Sequence, residues 1–353
     1  MTTELISVKG LIENFDDFMR AGNLLRNGEL VAIPTETVYG LAANALNPDA
    51  VSKIFKAKGR PQDNPLIVHI SDFAYLANVV SEIPEKAHLL AGEFWPGPLT
   101  MIMKKNDKIP YEVTAGLETV AVRFPSHKYA RAVIDAAGVP LAAPSANISG
   151  KPSPTTAQHV MRDLSGKIPM IIDGGECSVG LESTVLDITG DVPTLLRPGG
   201  ITLSDLKRVL GKVNVNPKIL EAVNDDEKVA SPGMKYKHYA PSAPVVIIDG
   251  DSENFKKYIL ENINGAKTAI LCFEEEKELF DGICVQVISY GSENAPNELA
   301  HGLFSALRKL DEMPLDIIYA REPKKILRGD LDGIELAVVN RLIRAAGFKR
   351  ISV

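Results

Sequence analysis

Three cations spaced two residues apart, Lys56, Lys58 and Arg60, stand in a segment broken by Gly59, Pro61 and Pro65 and followed at once by the apolar run Leu66-Ile-Val. Proline and the residue before it disfavour helix, so a segment extending from Lys56 turns these side chains to one side, where they suit a polyanion. The competing reading is a solvated basic helix end, favoured by the helix dipole. Four further polar segments, each beside an apolar run, carry Thr35, Thr37, Arg123, Ser145, Asn147, Ser183, Thr184 and Arg197. Arginine forks match phosphate or carboxylate oxygens at two points, lysines add compact charge, and small residues let backbone amides approach. Together they suit a triphosphate beside a zwitterion. Taken singly, each segment also reads as a strand-end cap or a surface ion pair. His69 reads first as a buried, hydrogen-bonded histidine, and Trp95-Pro-Gly-Pro98 as a structural turn.

Other chemistries find no pattern. Gly174-Gly-Glu-Cys-Ser-Val-Gly180 lacks the Lys-Ser/Thr of a P-loop. There is no G-x-S-x-G elbow and no H-E-x-x-H, and Cys177, Cys272 and Cys284 form no C-x-x-C pair, so neither a covalent nucleophile nor a metal spacing emerges. Many cations without a nucleophile point to phosphoryl or nucleotidyl transfer by positioning and charge stabilisation, with Mg2+ arriving on the nucleotide. A formal net charge of -6 with 24% charged residues argues against a general nucleic-acid binder or a basic membrane-surface protein. The odd cysteine count, the lack of a basic-then-apolar leader and the lack of an apolar run of ~18 residues predict a soluble cytoplasmic protein.

The elements that must position these residues fall into two rhythms. At 353 residues the chain exceeds one comfortable core. Up to about Arg197, short apolar strands (30–34, 66–70, 99–103, 120–124) are interrupted by Pro-bounded loops. Strict βαβ alternation fails, which predicts an α/β fold with a twisted mixed sheet and flanking helices. Ser204 is expected to cap a helix to Leu210, followed by a strand-like 212–216. Residues 224–244 show no period and read as a linker. A merely flexible one would be Gly/Ser-rich, whereas this carries Lys235-Tyr-Lys-His-Tyr239, a composition suited to touching a ligand. Beyond Pro244, apolar strands near 245–248, 268–273, 285–289 and 316–319 alternate with helices, predicting a smaller Rossmann-like parallel α/β domain of roughly 110 residues without a dinucleotide fingerprint.

Pro34-Thr-Glu-Thr-Val-Tyr-Gly-Leu41, Lys56-Ala-Lys-Gly-Arg-Pro61 with Asn64-Pro-Leu66, Trp95-Pro-Gly-Pro-Leu-Thr100, Pro144-Ser-Ala-Asn147, Glu182-Ser-Thr-Val185 and Arg197-Pro-Gly199 occur in that order. With the linker Ser231-Pro-Gly-Met-Lys-Tyr-Lys-His-Tyr-Ala-Pro241, the chain resembles the threonylcarbamoyl-AMP synthases with a YrdC-type catalytic domain, in the long two-domain form. The resemblance implies a catalytic domain at 1–215, a linker and lid at 216–243 and a Rossmann-like domain at 244–353. It implies condensation of L-threonine, bicarbonate and ATP to threonylcarbamoyl-AMP and pyrophosphate, for the t6A modification of tRNA. The product would pass to a tRNA-modifying threonylcarbamoyl transferase, with no membrane partner and no stable nucleic-acid binding. By the same resemblance Thr37, His69, Arg123, Ala143 and Ser183 contact threonine, while Arg60, Asn64, Thr119, Ser145, Asn147, Ser153 and Arg197 face ATP. Lys56, Lys58 and Arg60 would act on the phosphates, and Tyr236, His238 and Tyr239 would form the lid; Mg2+ comes with ATP, and no side chain is assigned to it. Two rivals stand beside this. One is an RNA-binding module without catalysis, disfavoured because small-molecule donors rather than stacking aromatics accompany the cations. The other is a carbamoyl transferase of hydrogenase-maturation type, whose zinc-finger-like part needs the C-x-x-C pairs lacking here.

Overall fold

The computed structural model describes residues 1–221, 238–283, 286–323 and 332–353. Among these, eleven strands make one sheet in the order β1 (Glu4–Ser7), β8 (Met170–Asp173), β2 (Val31–Ile33), β3 (Gly40–Asn44), β7 (Leu141–Ala142), β4 (Ile67–His69), β6 (Thr119–Arg123), β5 (Leu99–Lys104), β9 (Thr184–Asp187), β10 (Thr194–Arg197) and β11 (Asn214–Val215). Parallel and antiparallel pairs alternate irregularly, as with β4 parallel to β6 and β6 antiparallel to β5, so the sheet is mixed, as the broken βαβ rhythm predicts. The central strands β2, β4 and β6 are almost wholly buried, which is why they read as continuous apolar runs rather than as alternating patterns. Helices α1 (Phe15–Arg26), α2 (Pro48–Lys58), α3 (Glu85–Phe94), α4 (Tyr111–Thr114), α5 (Lys128–Ala137), α6 (Ala157–Leu164) and α7 (Leu203–Leu210) flank it. The cap of α7 is Thr202, not Ser204: Thr202 and Asp205 form a reciprocal capping box, which satisfies two amides where Ser204 would satisfy one.

The second lobe is an all-parallel five-stranded sheet in the order β14 (Gln286–Ser289), β13 (Thr268–Cys272), β15 (Ile317–Ala320), β12 (Val245–Asp249) and β16 (Arg350–Ser352). Helices α8 (Ser252–Asn262), α9 (Pro296–Asp311) and α10 (Glu335–Ala345) complete it. Strand β16 escapes sequence reasoning because Arg350-Ile-Ser has no apolar run; its pairing with β12 makes it a strand. One apolar cluster runs from the large sheet, through Leu181 and Leu203, to Phe304 and Leu307 on α9 and Leu336 and Leu342 on α10. The two lobes therefore share a core. Among the described residues, no helix is long and apolar enough to cross a membrane.

Candidate active site

A cavity opens where the C-terminal ends of β4 and β6 meet the loops after β2, α2, β7 and β8. One wall is built on strands. Thr35 folds its own loop: its Oγ1 accepts from the amides of Thr37 and Val38 and donates to the Val38 carbonyl at 2.6 Å. That turn presents Thr37 Oγ1 to Arg123 Nη1 at 2.7 Å. Arg123, at the end of β6, also pairs through Nη2 with Glu36 at 2.7 Å and donates from Nε to the Gly97 carbonyl at 3.3 Å. The Trp95-Pro-Gly-Pro98 turn thus helps aim Arg123. Burial alone would raise the Glu36 carboxyl, but Arg123 and the Ser126 amide hold it below the usual carboxylate range. His69 sits opposite, buried, with Nδ1 3.3 Å from the Ile67 carbonyl. Burial, and then the charge of Arg123, pull its imidazole down to about 3, so it is neutral at physiological pH.

The other wall is built on loops. Helix α2 ends at Lys58 because Gly59 adopts a left-handed conformation (φ 62°), which glycine takes without strain. Buried Lys58 then donates from Nζ to the carbonyls of Ser145 and Asn147 at 2.5 and 2.7 Å and reaches Asn147 Oδ1 at 3.3 Å. Burial, and next the charge of Arg60, push its ammonium well below the ordinary lysine range. Lys58 therefore anchors the 145–147 loop with the same group that lines the cavity. Arg60 follows with its Nη2 on the Asn64 carbonyl at 3.2 Å, its guanidinium brought down by burial to about 10. Ser145 Oγ donates to Asn147 Oδ1 at 2.6 Å. Arg197, at the end of β10 and also brought down by burial to about 10, donates from Nε to the Ser183 carbonyl at 3.0 Å and from Nη2 to Ser183 Oγ at 3.2 Å. A Cβ at Gly199 would lie 2.3 Å from the Thr184 amide, so only glycine lets these two loops stack. His238 and Tyr239 close one side. Tyr239 is buried with a positive φ of 64°, its ring 5.1 Å from that of Phe304 on α9.

Thr37, Lys58, Arg60, His69, Arg123 and Ala143 line this one cavity. Ser145, Asn147, Ser183, Arg197, His238 and Tyr239 complete the expected set there. Others fall elsewhere. Lys56 is exposed and is not in the wall: helix continues through Lys58, so the two lysines project about 200° apart instead of sharing an extended edge. Thr119 begins β6, about 13 Å of strand away from Arg123. Ser153 is buried behind the wall, donating to Glu182 at 2.5 Å, and buried Asn64 contributes its carbonyl to Arg60. Tyr236 lies outside the described residues. Sequence reasoning passed over Glu36 and Glu182, although both stand inside quoted motifs. The available signal was a carboxylate flanked by hydroxyl residues, on both sides at Glu36 and on one side at Glu182.

Residues 23–199 match the Sua5–YciO–YrdC family, described as telomere recombination, and residues 201–347 match a family described as the C-terminal domain of threonylcarbamoyl-AMP synthase. The threonylcarbamoyl-AMP synthase of Pyrococcus abyssi is 47% identical over 360 residues, covering 99% of this chain and 100% of its own length. That of Bacillus subtilis is 48% identical over 339 residues, covering 96% of this chain and 95% of its own. The crystal structure of P. abyssi Sua5 complexed with L-threonine aligns with a TM-score of 0.89 at 43% identity, covering 99% of each chain.

Proposed function

Because the chain belongs to the Sua5–YciO–YrdC family of threonylcarbamoyl-AMP synthases in its two-domain form, we propose that it condenses L-threonine, bicarbonate and ATP to threonylcarbamoyl-AMP and pyrophosphate. The observation that carries this is convergence. Side chains from Thr37 to Tyr239 meet in one cavity that is rich in arginine and hydroxyl groups. In this reading the threonine amine adds to CO2 drawn from bicarbonate, and the hydroxide that bicarbonate gives up takes the amine's proton and leaves as water. The resulting carbamate oxygen attacks the α-phosphorus, and pyrophosphate leaves. Thr37, His69, Arg123, Ala143 and Ser183 hold threonine, with Arg123 facing its carboxylate and neutral His69 able to accept or donate a hydrogen bond without adding charge. Arg60, Ser145, Asn147 and Arg197 face ATP, whose Mg2+ travels on the triphosphate as part of the substrate. Lys58 acts through the 145–147 loop and by its nearby charge. His238 and Tyr239 shield the labile intermediate from water. The division into a catalytic lobe (1–215), a connector (216–243) and a second lobe (244–353) belongs to the same proposal, as does release of the product to a tRNA-modifying threonylcarbamoyl transferase. Pyrophosphate release from ATP, measured with threonine and bicarbonate omitted in turn, tests it. Release should need both, and release that ignores either ends the assignment.

A further inference from the structure

Two guanidiniums from the second lobe reach the loop wall from behind. Arg341 on α10 is wholly buried: Nε meets Glu182 Oε2 at 3.0 Å, Nη2 the Glu182 carbonyl at 3.2 Å, and Nη1 the Pro198 carbonyl at 2.6 Å. It bridges the loop bearing Ser183 to the loop that follows Arg197 at the end of β10. Arg308 on α9 donates from Nη2 to the Pro152 carbonyl at 2.6 Å and to Asp163 Oδ2 at 2.9 Å, with Nε 3.4 Å from the Ser153 carbonyl. The two clamps are joined, because Ser153 Oγ donates to the other oxygen of Glu182 at 2.5 Å. Burial would raise the Glu182 carboxyl, but Arg341 and Arg197 hold it lowered. The path α10–Arg341–Glu182–Ser153–Arg308–α9 therefore runs directly behind Ser183 and Arg197. Among the described residues the strand wall has no such brace: Thr37 pairs with Arg123, which is held by Glu36 and Gly97 of its own lobe.

We infer that Arg341 and Arg308 are positioning residues for the adenylation step, so that the second lobe sets the geometry of the nucleotide wall and reaches the threonine contacts only through Ser183, leaving Thr37, His69 and Arg123 to their own lobe. This rests on the functional reading above. A bidentate fork bridging two loops fixes their separation, which a lysine's single point charge cannot do. Misplacing a reacting group by about 1 Å can cost about a hundredfold in rate.

The test compares the full-length wild type with Arg341→Met, Arg341→Lys, Arg308→Met and, as an interface control, Glu312→Ala, which breaks only the exposed pair with Arg162. Arg341→Met should lose about a hundredfold in kcat/KM for ATP. Arg341→Lys should recover part of this, and Arg308→Met should lose less. Threonine affinity measured by calorimetry without ATP rests mainly on Thr37, His69 and Arg123 and should fall far less than kcat/KM for ATP, by no more than about tenfold through the shift of Ser183, and Glu312→Ala should match the wild type. A folded Arg341→Met with wild-type kcat/KM for ATP overturns the inference. So does a loss of threonine affinity that parallels the loss for ATP, the signature of a merely structural role. If Arg341→Met does not fold, Arg341→Lys carries the same readouts. ATP affinity of these variants decides the inference even if the wild type releases no threonine-dependent pyrophosphate, the result that would instead sink the functional reading.

Discussion

Thr37, His69 and Arg123 are positioned by neighbours within their own lobe, whereas Ser183, Glu182 and Arg197 rest on loops whose backs are held by the other. The first arrangement is local and strand-borne. Arg123 ends β6 beside His69 at the end of β4, where parallel pairing sets them in register. The second depends on packing between lobes that share a core. In the proposed function, the amino acid with its fixed zwitterionic head meets the rigid wall, while the long, many-charged nucleotide meets several loops brought together. The contrast also bears on truncation. The shared core means that removing the second lobe exposes apolar surface and unpairs Glu182, so point changes at the clamps separate binding from folding where deletion does not.

The comparison breaks most sharply at Arg123. Arg123→Met strands the buried Glu36 carboxylate and should cost ~3–5 kcal/mol of stability. Denaturant unfolding reads that loss, and calorimetry should show threonine affinity down about a hundredfold; an unchanged threonine affinity would remove Arg123 from the amino-acid wall. On the loop wall, Lys58→Met removes the donor to the Ser145 and Asn147 carbonyls and one of the two donors to Asn147 Oδ1. Turnover should fall about a hundredfold, or ~3 kcal/mol, in the pyrophosphate assay, with threonine affinity nearly intact. Wild-type turnover there would show that the 145–147 loop needs no anchor.

A smaller effect concerns pH. The folded His69 imidazole lies near 3 and its unfolded value near 6.5. The unfolded chain therefore binds the extra proton first. The stability that neutral His69 confers is complete above about pH 6.5 and is lost progressively as pH falls toward 3, by up to about 1.4 kcal/mol per unit. Urea midpoints at pH 7, 5 and 4 should show a shallower decline in His69→Asn, and identical slopes would contradict the shift. The smallest expected effect is at Lys56→Ala, on the exposed face of α2, where pyrophosphate release should stay within about twofold of wild type.

Much of this molecule is legible without coordinates. The mixed sheet follows from broken βαβ alternation, the parallel sheet from regular alternation after Pro244, and the chemistry of the cavity from arginines and hydroxyl residues set beside apolar strands. Such features depend on residue type and on short-range period, which a linear chain displays. Tertiary structure decided the rest. Whether Lys56 or Lys58 enters the cavity turned on one more residue of helix before Gly59. That Arg123 is shared with Glu36 depended on tertiary pairing, and the pairings of Arg308 with Asp163 and of Arg341 with Glu182 reach across 145 and 159 residues. The local trace of Arg341 is its place beside Asn340 in a mostly apolar stretch of helix, Leu336-Ala-Val-Val-Asn-Arg-Leu-Ile343, where a buried charge demands a partner. Sequence states that demand, but only packing supplies the carboxylate that meets it.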